Sequence, residues 1–437
     1  MPPHAQLRGP RSSLTVLFHM SDPFPYMLRL AKEYGDPLTC PMPGQAPMVL
    51  LAAPERIKEV FSAPHGTFDP SAAEALAVIV GSGSIFLTTG DPHRRQRKLL
   101  SPPFHGERMR GYAELMHATA LRWARARKRG VSEPLLSTAQ GITLDIIVEA
   151  IFGERDQARV ARLHEDILGL VDAFHPLIAM FRFMQQDFGG IGPWAKFKRR
   201  ADALHGRMRT LIEEKRASAG EDVLSLLLSM KDESGEGLGE QEILEQLLTF
   251  VIAGHETTAT TLAWAMYELH RAPEALAKLR AELAALGPSA PPEVIARQPY
   301  LSAVIQETLR MHPPVPIVPR KTTGEFRLGE HVLPAGTVLG VAVYTAHFRE
   351  ETYPEPHAFR PERFVERSYS PFEFLPFGGG ARRCLGAAFA SFELAIALAA
   401  MLSVGTYRLD EPRPLRTVFR IGTYGPEHGV RMTLLDE

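Results

Sequence analysis

"LPFGGGARRCLG", residues 375–386, sets a run of three glycines and two arginines beside one of only two cysteines in a chain of 437 residues. Taken alone, a lone cysteine at a glycine turn reads as a small buried hydrophobe. The other cysteine narrows the alternatives. Cys40 and Cys384 are too far apart in sequence to form a local clip, and two cysteines make no disulfide scaffold, which fits a reducing compartment. They also exclude a four-cysteine zinc or iron–sulfur site, and no histidine pair stands at helical metal-binding spacing. Any metal at Cys384 therefore has to arrive with most of its ligands already attached.

Composition sets the class. The chain is 45% hydrophobic, enough for a large core, and carries 49 Lys plus Arg against 50 Asp plus Glu. So even a balance offers no global field for nucleic acid or an anionic membrane. The N-terminal stretch lacks both the roughly 20 apolar residues of a membrane span and the basic-then-apolar order of a signal peptide. A cytoplasmic protein without a membrane span is expected.

Hydrophobic periodicity gives a mainly α chain with small β-sheets, its helices separated by proline-rich turns. Residues 36–62 read as short strands followed by a helix opened by Pro54 and Glu55, and amphipathic helical patterns follow from about 107 to 232. No repeat, linker or clean boundary divides the chain, so one domain over 1–437 is expected, strand-rich over about 36–90 and helical from about 90 to 437. "GSGSIF" (81–86) has Phe86 where the dinucleotide fingerprint needs its third glycine, and it reads as a mobile loop.

The longest helical pattern runs from Gln241 to Leu269, roughly 40 Å at 1.5 Å per residue. It is apolar nearly all round except at "AGHETT", residues 253–258. A buried Glu256 needs a partner, and Gly254 sacrifices about 1 kcal/mol of helix propensity relative to alanine. Threonine hydroxyls can bond back to the preceding turn and loosen the ladder. An ordinary kinked core helix and a functional one explain this equally well. Downstream, "ETLR" puts Glu307 and Arg310 at i, i+3, and "FRPERF" (359–364) supplies Arg363, which joins them in a buried triad if the turn folds back. Upstream, in "GDPHRRQRKLL", Asp91 reads as the N-cap, His93 and Arg97 share a face that could grip carboxylates, and Arg94, Arg95 and Lys98 fan over the neighbouring surface.

Together these five motifs resemble those of the cytochrome P450 haem-thiolate monooxygenases, in the family's order. "FGGGARRCLG" is similar to the family's cysteine-ligand loop, "AGHETT" to its oxygen-activating helix, "ETLR" and "FRPERF" to its Glu-x-x-Arg network and "HRRQR" to its propionate clamp. The resemblance implies a single large helical fold enclosing haem b, with Cys384 as the axial iron ligand whose thiolate donates electron density. It implies that Phe377 shields the loop, that Gly386, a cofactor-binding glycine beside Cys384, opens the following helix, and that His93, Arg97, Arg382 and Arg320 neutralise the propionates. Ala253 and Gly254 then leave room for dioxygen, Thr257 hydrogen-bonds it, and Glu256 relays protons. The expected enzyme hydroxylates or epoxidises an apolar small molecule such as a fatty acid, terpenoid, steroid or polyketide, with electrons from a separate ferredoxin or flavodoxin and its reductase. Arg94, Arg95, Lys98 and Arg383 form the expected docking patch. A peroxide-driven peroxygenase and a non-catalytic haem or ligand-binding protein are the alternatives; the intact Glu256–Thr257 pair favours the monooxygenase. The family's substrate pocket maps onto Thr67 to Phe86, Leu170 to Phe188 (with Phe174, Phe181, Phe183 and Phe188), Phe250, Ala253, Val315 to Val318 and Ile421 to Tyr424. His255, Arg182 or His175 would face a substrate carboxylate.

Overall fold

Prolines open many of the helices: Pro54, Pro193, Pro273, Pro292 and Pro299 each stand in a first turn, where the missing N–H has no intrahelical partner to lose. A computed structural model gives the structure of residues 7–436, apart from 14–15, 17–18, 20–22, 43–45, 71–73, 175–177, 179–184, 188, 218–219 and 421. It is mainly helical, with four small sheets among the described residues. Expectations that fall on His175, Phe181, Arg182, Phe183, Phe188 and Ile421 lie outside the described residues.

Two compact units make up the chain. The first comprises Met1–Ser71, Ala113–Ile142 and Glu256–Glu437, the second Ala72–Tyr112 and Thr143–His255. Helices Leu135–Phe152 and Glu240–Arg271 each contribute residues to both.

The first unit holds all the described strands. β1 (Leu38–Cys40), β2 (Met48–Leu51) and β3 (Phe68–Asp69) come early, and β4 (Ser132–Pro134) follows. β5 (Val318–Thr322), β6 (Phe326–Leu328), β7 (His331–Leu333) and β8 (Val338–Val341) come late in the chain. The main sheet runs β1-β2-β8-β5-β3, with β2 and β8 parallel so that Leu51 stands opposite Val341. Val49, Leu51, Ile57, Leu339, Val341 and Leu375 pack into one core cluster there. Closer to the C-terminus, β9 (Tyr407–Leu409) and β12 (Arg431–Leu434) join β4, and β10 (Thr417–Arg420) pairs with β11 (Thr423–Pro426). Helix Ala387–Ser403, apolar on every side, packs along helix Ala113–Arg125. Gly141 makes room for Trp123, whose ring would lie 2.5 Å from a Cβ at that position.

Helices alone build the described part of the second unit. Gln157–Ala173, capped by the Asp156 carboxylate, packs on Pro193–Arg216. Here the loop 81–86 departs from expectation, because it is pinned rather than mobile. Ser84 is fully buried and bonds Thr249 at 2.7 Å, Gly83 N–H donates to the Glu245 carboxylate at 2.6 Å, and Ile85 N–H to the side-chain Oε1 of Gln246 at 3.0 Å. The Gly83 carbonyl accepts from Gln96 and Gln246. A Cβ at Gly81 or Gly83 would strike the Glu245 carboxyl group within 2.5 Å, so the glycines admit a side chain where a phosphate loop would admit a ligand. Asp91 is also reassigned: helix Gly90–Leu100 starts two residues earlier than an Asp91 N-cap would place it, with Thr89 at the N-cap and no side-chain cap, and Asp91 pairs with Arg94 in the first turn.

The long helix runs Glu240–Arg271, 32 residues, slightly beyond its expected ends. Leu135–Phe152 is the described helix long and apolar enough to cross a membrane, and 78% of it is buried in the fold. The two meet within the second unit at Gly254, where a Cβ would lie 3.1 Å from the Ile147 methyl. Alanine there gains about 1 kcal/mol of helix propensity, while Ile147 has to yield by a few tenths of an ångström. Gly254→Ala should therefore leave the free energy of unfolding within about 1 kcal/mol of wild type in urea titration; a loss well above that would mean the glycine holds the two helices together.

Candidate functional site: the Cys384 loop and its supports

Gly378 and Gly380 take φ values of +64° and +66°, a conformation that favours glycine, and fold 375–386 into a tight loop. Phe61 presses on that loop: a Cβ at Gly379 would sit 2.1 Å from its ring, and one at Gly380 2.6 Å from its carbonyl oxygen. The glycine run is thus required by a neighbouring helix as well as by the cysteine. Cys384 N–H donates to the Phe377 carbonyl at 2.9 Å, and the thiol is exposed. Helix Ala387–Ser403 begins three residues later with Gly386 at its N-cap and no side-chain cap, which sets the positive end of its dipole close to the cysteine in sequence. Arg382 is half-buried, whereas Arg383 is exposed on a cleft of about 400 Å³ lined by Phe374, Phe377, Phe392, Gln306 and Ser302.

Arg320, on β5, is 8% exposed, and its Nη1 donates to the Pro319 carbonyl at 2.8 Å. Its Nη2 is buried with no hydrogen-bond partner. Burial first, and the nearby Arg382 cation second, pull the guanidinium down to about 10. Two converging cations with a buried unfilled donor form a seat for a carboxylate. The residues present therefore fit a haem: a cysteine sulfur that could hold its iron and a cationic pocket that could take a propionate. Among the described residues no group of three or more His, Cys, Asp or Glu side chains could hold a bare ion instead.

The turn 359–364 does fold back, and the triad that spacing alone left open forms. Glu307 and Arg310 are fully buried, and Arg310 grips the carboxylate through Nε and Nη2 at 2.7 and 2.9 Å. Arg363 adds Nε at 3.0 Å, and Arg360 N–H donates to the same oxygen at 2.9 Å. The sequence reading missed His347, which lies between this network and the cysteine loop. Its Nε2 is 3.0 Å from Leu375 N, and its Nδ1 is 3.1 Å from the Arg310 carbonyl oxygen.

Glu256 is only partly buried, and both its oxygens are taken. Arg420, from β10, donates to Oε1 at 2.6 Å, and Gln140 to Oε2 at 2.8 Å. Neither partner was evident in the sequence, since each is remote along the chain. The hydroxyls that bond back to the preceding turn lie just beyond AGHETT: those of Thr260 and Thr261 reach the carbonyls of Glu256 and Thr257 at 2.8–3.0 Å, within a helix that runs unbroken from Glu240 to Arg271.

The second unit carries the remaining candidates. His93 is buried and Arg97 half-buried on helix Gly90–Leu100. The other cations of that helix are matched internally, which revises the free docking patch. Arg95 donates to Asp232 at 2.5 Å and to the Gly237 carbonyl at 2.8 Å, and Lys98 pairs with Glu233. The Ser234 hydroxyl and then Arg95 hold the Asp232 carboxyl well below its usual range. Phe250 packs edge-on against Phe104 at 5.0 Å, Phe174 packs on Phe197, and Ala253 and Gly254 lie on the long helix, half-buried.

A mainly helical fold around a cysteine loop that could hold a haem points to a class of proteins, and comparison with known proteins gives the family. The family model Cytochrome P450 matches residues 6–415. A Mycobacterium tuberculosis protein bearing the name cytochrome P450 137 is 35% identical over 413 residues, covering 93% of this chain and 84% of its own. One from Mycobacterium bovis, cytochrome P450 135B1, is 34% identical over 448 residues, covering 99% and 92%. Among solved structures, retinoic-acid-bound cyanobacterial CYP120A1 superposes with a TM-score of 0.80 over 92% of each chain at 23% identity. The chain belongs to the cytochrome P450 family, whose members are haem-containing monooxygenases.

Removing one member of a buried ion network strands the others. Glu307→Gln should cost about 3–5 kcal/mol of unfolding free energy in urea titration, and a loss below about 1 kcal/mol would show the network to be dispensable. Arg420→Ala should speed amide exchange across residues 417–426 while leaving β4 unchanged; unchanged exchange in the hairpin would mean the Glu256 pair contributes nothing to its docking.

Proposed function

We propose that the protein is an O2-dependent monooxygenase holding haem b through Cys384 and oxidising an apolar small molecule. The observation that carries this reading is the buried, unfilled donor of Arg320 beside Arg382, together with a lone exposed cysteine on a glycine loop. When bound, the haem would supply the iron centre at which dioxygen is reduced and one oxygen atom passes to substrate. Cys384 would serve as the thiolate ligand, with Phe377 covering the loop and the helix after Gly386 favouring the ionised sulfur. Arg320, Arg382, His93 and Arg97 are the residues proposed for the propionates. On the long helix, Ala253 and Gly254 are the small residues that would face dioxygen, and Thr257 would orient the proton that Glu256 delivers. Each Glu256 oxygen accepts one bond, from Arg420 and from Gln140, and keeps a second lone pair on which a water could exchange a proton.

Apolar candidates such as Phe250, Ala253 and Val318 favour a fatty-acid, terpenoid, steroid or polyketide-like substrate. The retinoic acid in the cyanobacterial structure is an isoprenoid with an apolar chain and a carboxyl end. Electrons would come from a separate ferredoxin or flavodoxin and its reductase, with exposed Arg383 the candidate contact for an acidic partner now that Arg95 and Lys98 have acids of their own. A single catalytic domain spanning 1–437 and a cytoplasmic location complete the proposal.

The ferrous carbon-monoxide spectrum of the purified holoprotein should show the strongly red-shifted band of a thiolate ligand, and Cys384→Ser should lose it. An unshifted wild-type band overturns the assignment. Glu256→Gln should keep that spectrum but slow product formation with a surrogate ferredoxin chain by about 100-fold or more, the usual contribution of a positioned proton donor. Unchanged turnover would remove Glu256 from the reaction.

A further inference from the structure

His347 is fully buried, stacked on Phe374 at 5.5 Å and edge-on to Tyr353 at 6.2 Å. Its two ring nitrogens face opposite kinds of backbone group. The Arg310 carbonyl near Nδ1 can only accept, and the Leu375 N–H near Nε2 can only donate. One neutral tautomer satisfies both, with the proton on Nδ1 and the lone pair on Nε2; an imidazolium would set N–H against N–H. Burial, then the Arg310 cation, pushes the ring down to about 3, which keeps it neutral in this place.

The bond to Arg310 is reciprocal, because Arg310 Nη1 donates to the His347 carbonyl at 2.9 Å. Each side chain therefore clasps the other residue's backbone. Leu375 is 1% exposed and stands nine residues ahead of Cys384. From there the loop is tied by Gly378 N–H to the Leu375 carbonyl at 3.0 Å and by Cys384 N–H to the Phe377 carbonyl at 2.9 Å. A hydrogen-bonded path thus runs from the Glu307 carboxylate through Arg310 and His347 to the start of the cysteine loop.

We propose that His347 is a positioning residue for the cysteine ligand: as its Nδ1–H tautomer it hangs Leu375 from the Glu307 network, and losing the Nε2 acceptor frees the loop to let Cys384 leave the haem iron. The inference rests on reading Cys384 as that ligand. An amide at position 347 can imitate one nitrogen or the other. His347→Gln reaches the Nε2 position and offers an acceptor to Leu375 N–H, His347→Asn reaches only the Nδ1 position, and His347→Leu offers neither.

The test follows the ferrous carbon-monoxide holoprotein in mild urea and times the decay of the red-shifted thiolate band into the unshifted one. His347→Asn and His347→Leu should decay at least about 10-fold faster than wild type, as expected for a buried N–H left unsatisfied, and His347→Gln within about 3-fold. Equal decay in all three variants, fast or slow, overturns the proposal, because packing alone or nothing would then be at stake. Should the variants fail to take up haem, nitrogen-15 NMR of histidine-labelled wild type in the diamagnetic ferrous carbon-monoxide state decides: an unprotonated Nε2 at His347 is expected, and a protonated one overturns it. A wild type without the red-shifted band would instead sink the Cys384 reading itself, a separate result from variants that keep the band.

Discussion

One fully buried carboxylate, Glu307, governs the first unit. It takes three side-chain bonds from Arg310 and Arg363 and one backbone bond from Arg360. Such a charge is tolerable only when every lone pair is met, so the helix Pro299–Met311 and the segment after Pro354 have to arrive together. Arg363 also bonds the Pro354 carbonyl, and Arg310 the His347 carbonyl, so two guanidinium groups fix backbone on both sides of the acid. The cysteine loop starts from this fixed ground. Its own glycines and the Phe61 contact shape it, and the His347–Leu375 bond ties its first residue to the ion cluster.

Local sequence revealed much of this. Glycines, prolines and helical periodicity marked the long helix to within two residues of its ends, and the i, i+3 spacing of Glu307 and Arg310 already pointed to their pair. What stayed hidden were contacts between residues distant in the chain. His347 carries no motif, and Arg420 and Gln140 lie 164 and 116 residues from Glu256. The main sheet was half visible for the same reason: β2 is completed by β8, nearly 300 residues on. The loop 81–86 misled because its glycines were read for mobility, while the polar positions Glu242, Glu245, Gln246 and Thr249, spaced to share one helix face, were lost in an apolar run.

Electrostatics shows a similar limit. A count of arginines and lysines on helix Gly90–Leu100 points outward to an acidic partner. The structure supplies acids from its own chain at Asp232 and Glu233, and the loop 232–237 folds around Arg95 through the Asp232 carboxylate. Partly shielded pairs of this kind, with 14–32% exposure at Arg95–Asp232, outweigh fully exposed ones, so the outward field of that face is weaker than its composition indicates.

The Arg420–Glu256 pair makes the C-terminal hairpin more than a wall. Gly425 lies so close to the long helix that a Cβ there would meet Thr260 at 2.7 Å, one turn beyond Glu256, and the arginine stem runs beside it. Residues that differ between relatives to suit different substrates would, if placed on this hairpin, also reset the environment of the helix carboxylate. Selectivity and proton supply would then evolve as one trait, and a grafted hairpin would need its own arginine at position 420 to keep the recipient's chemistry.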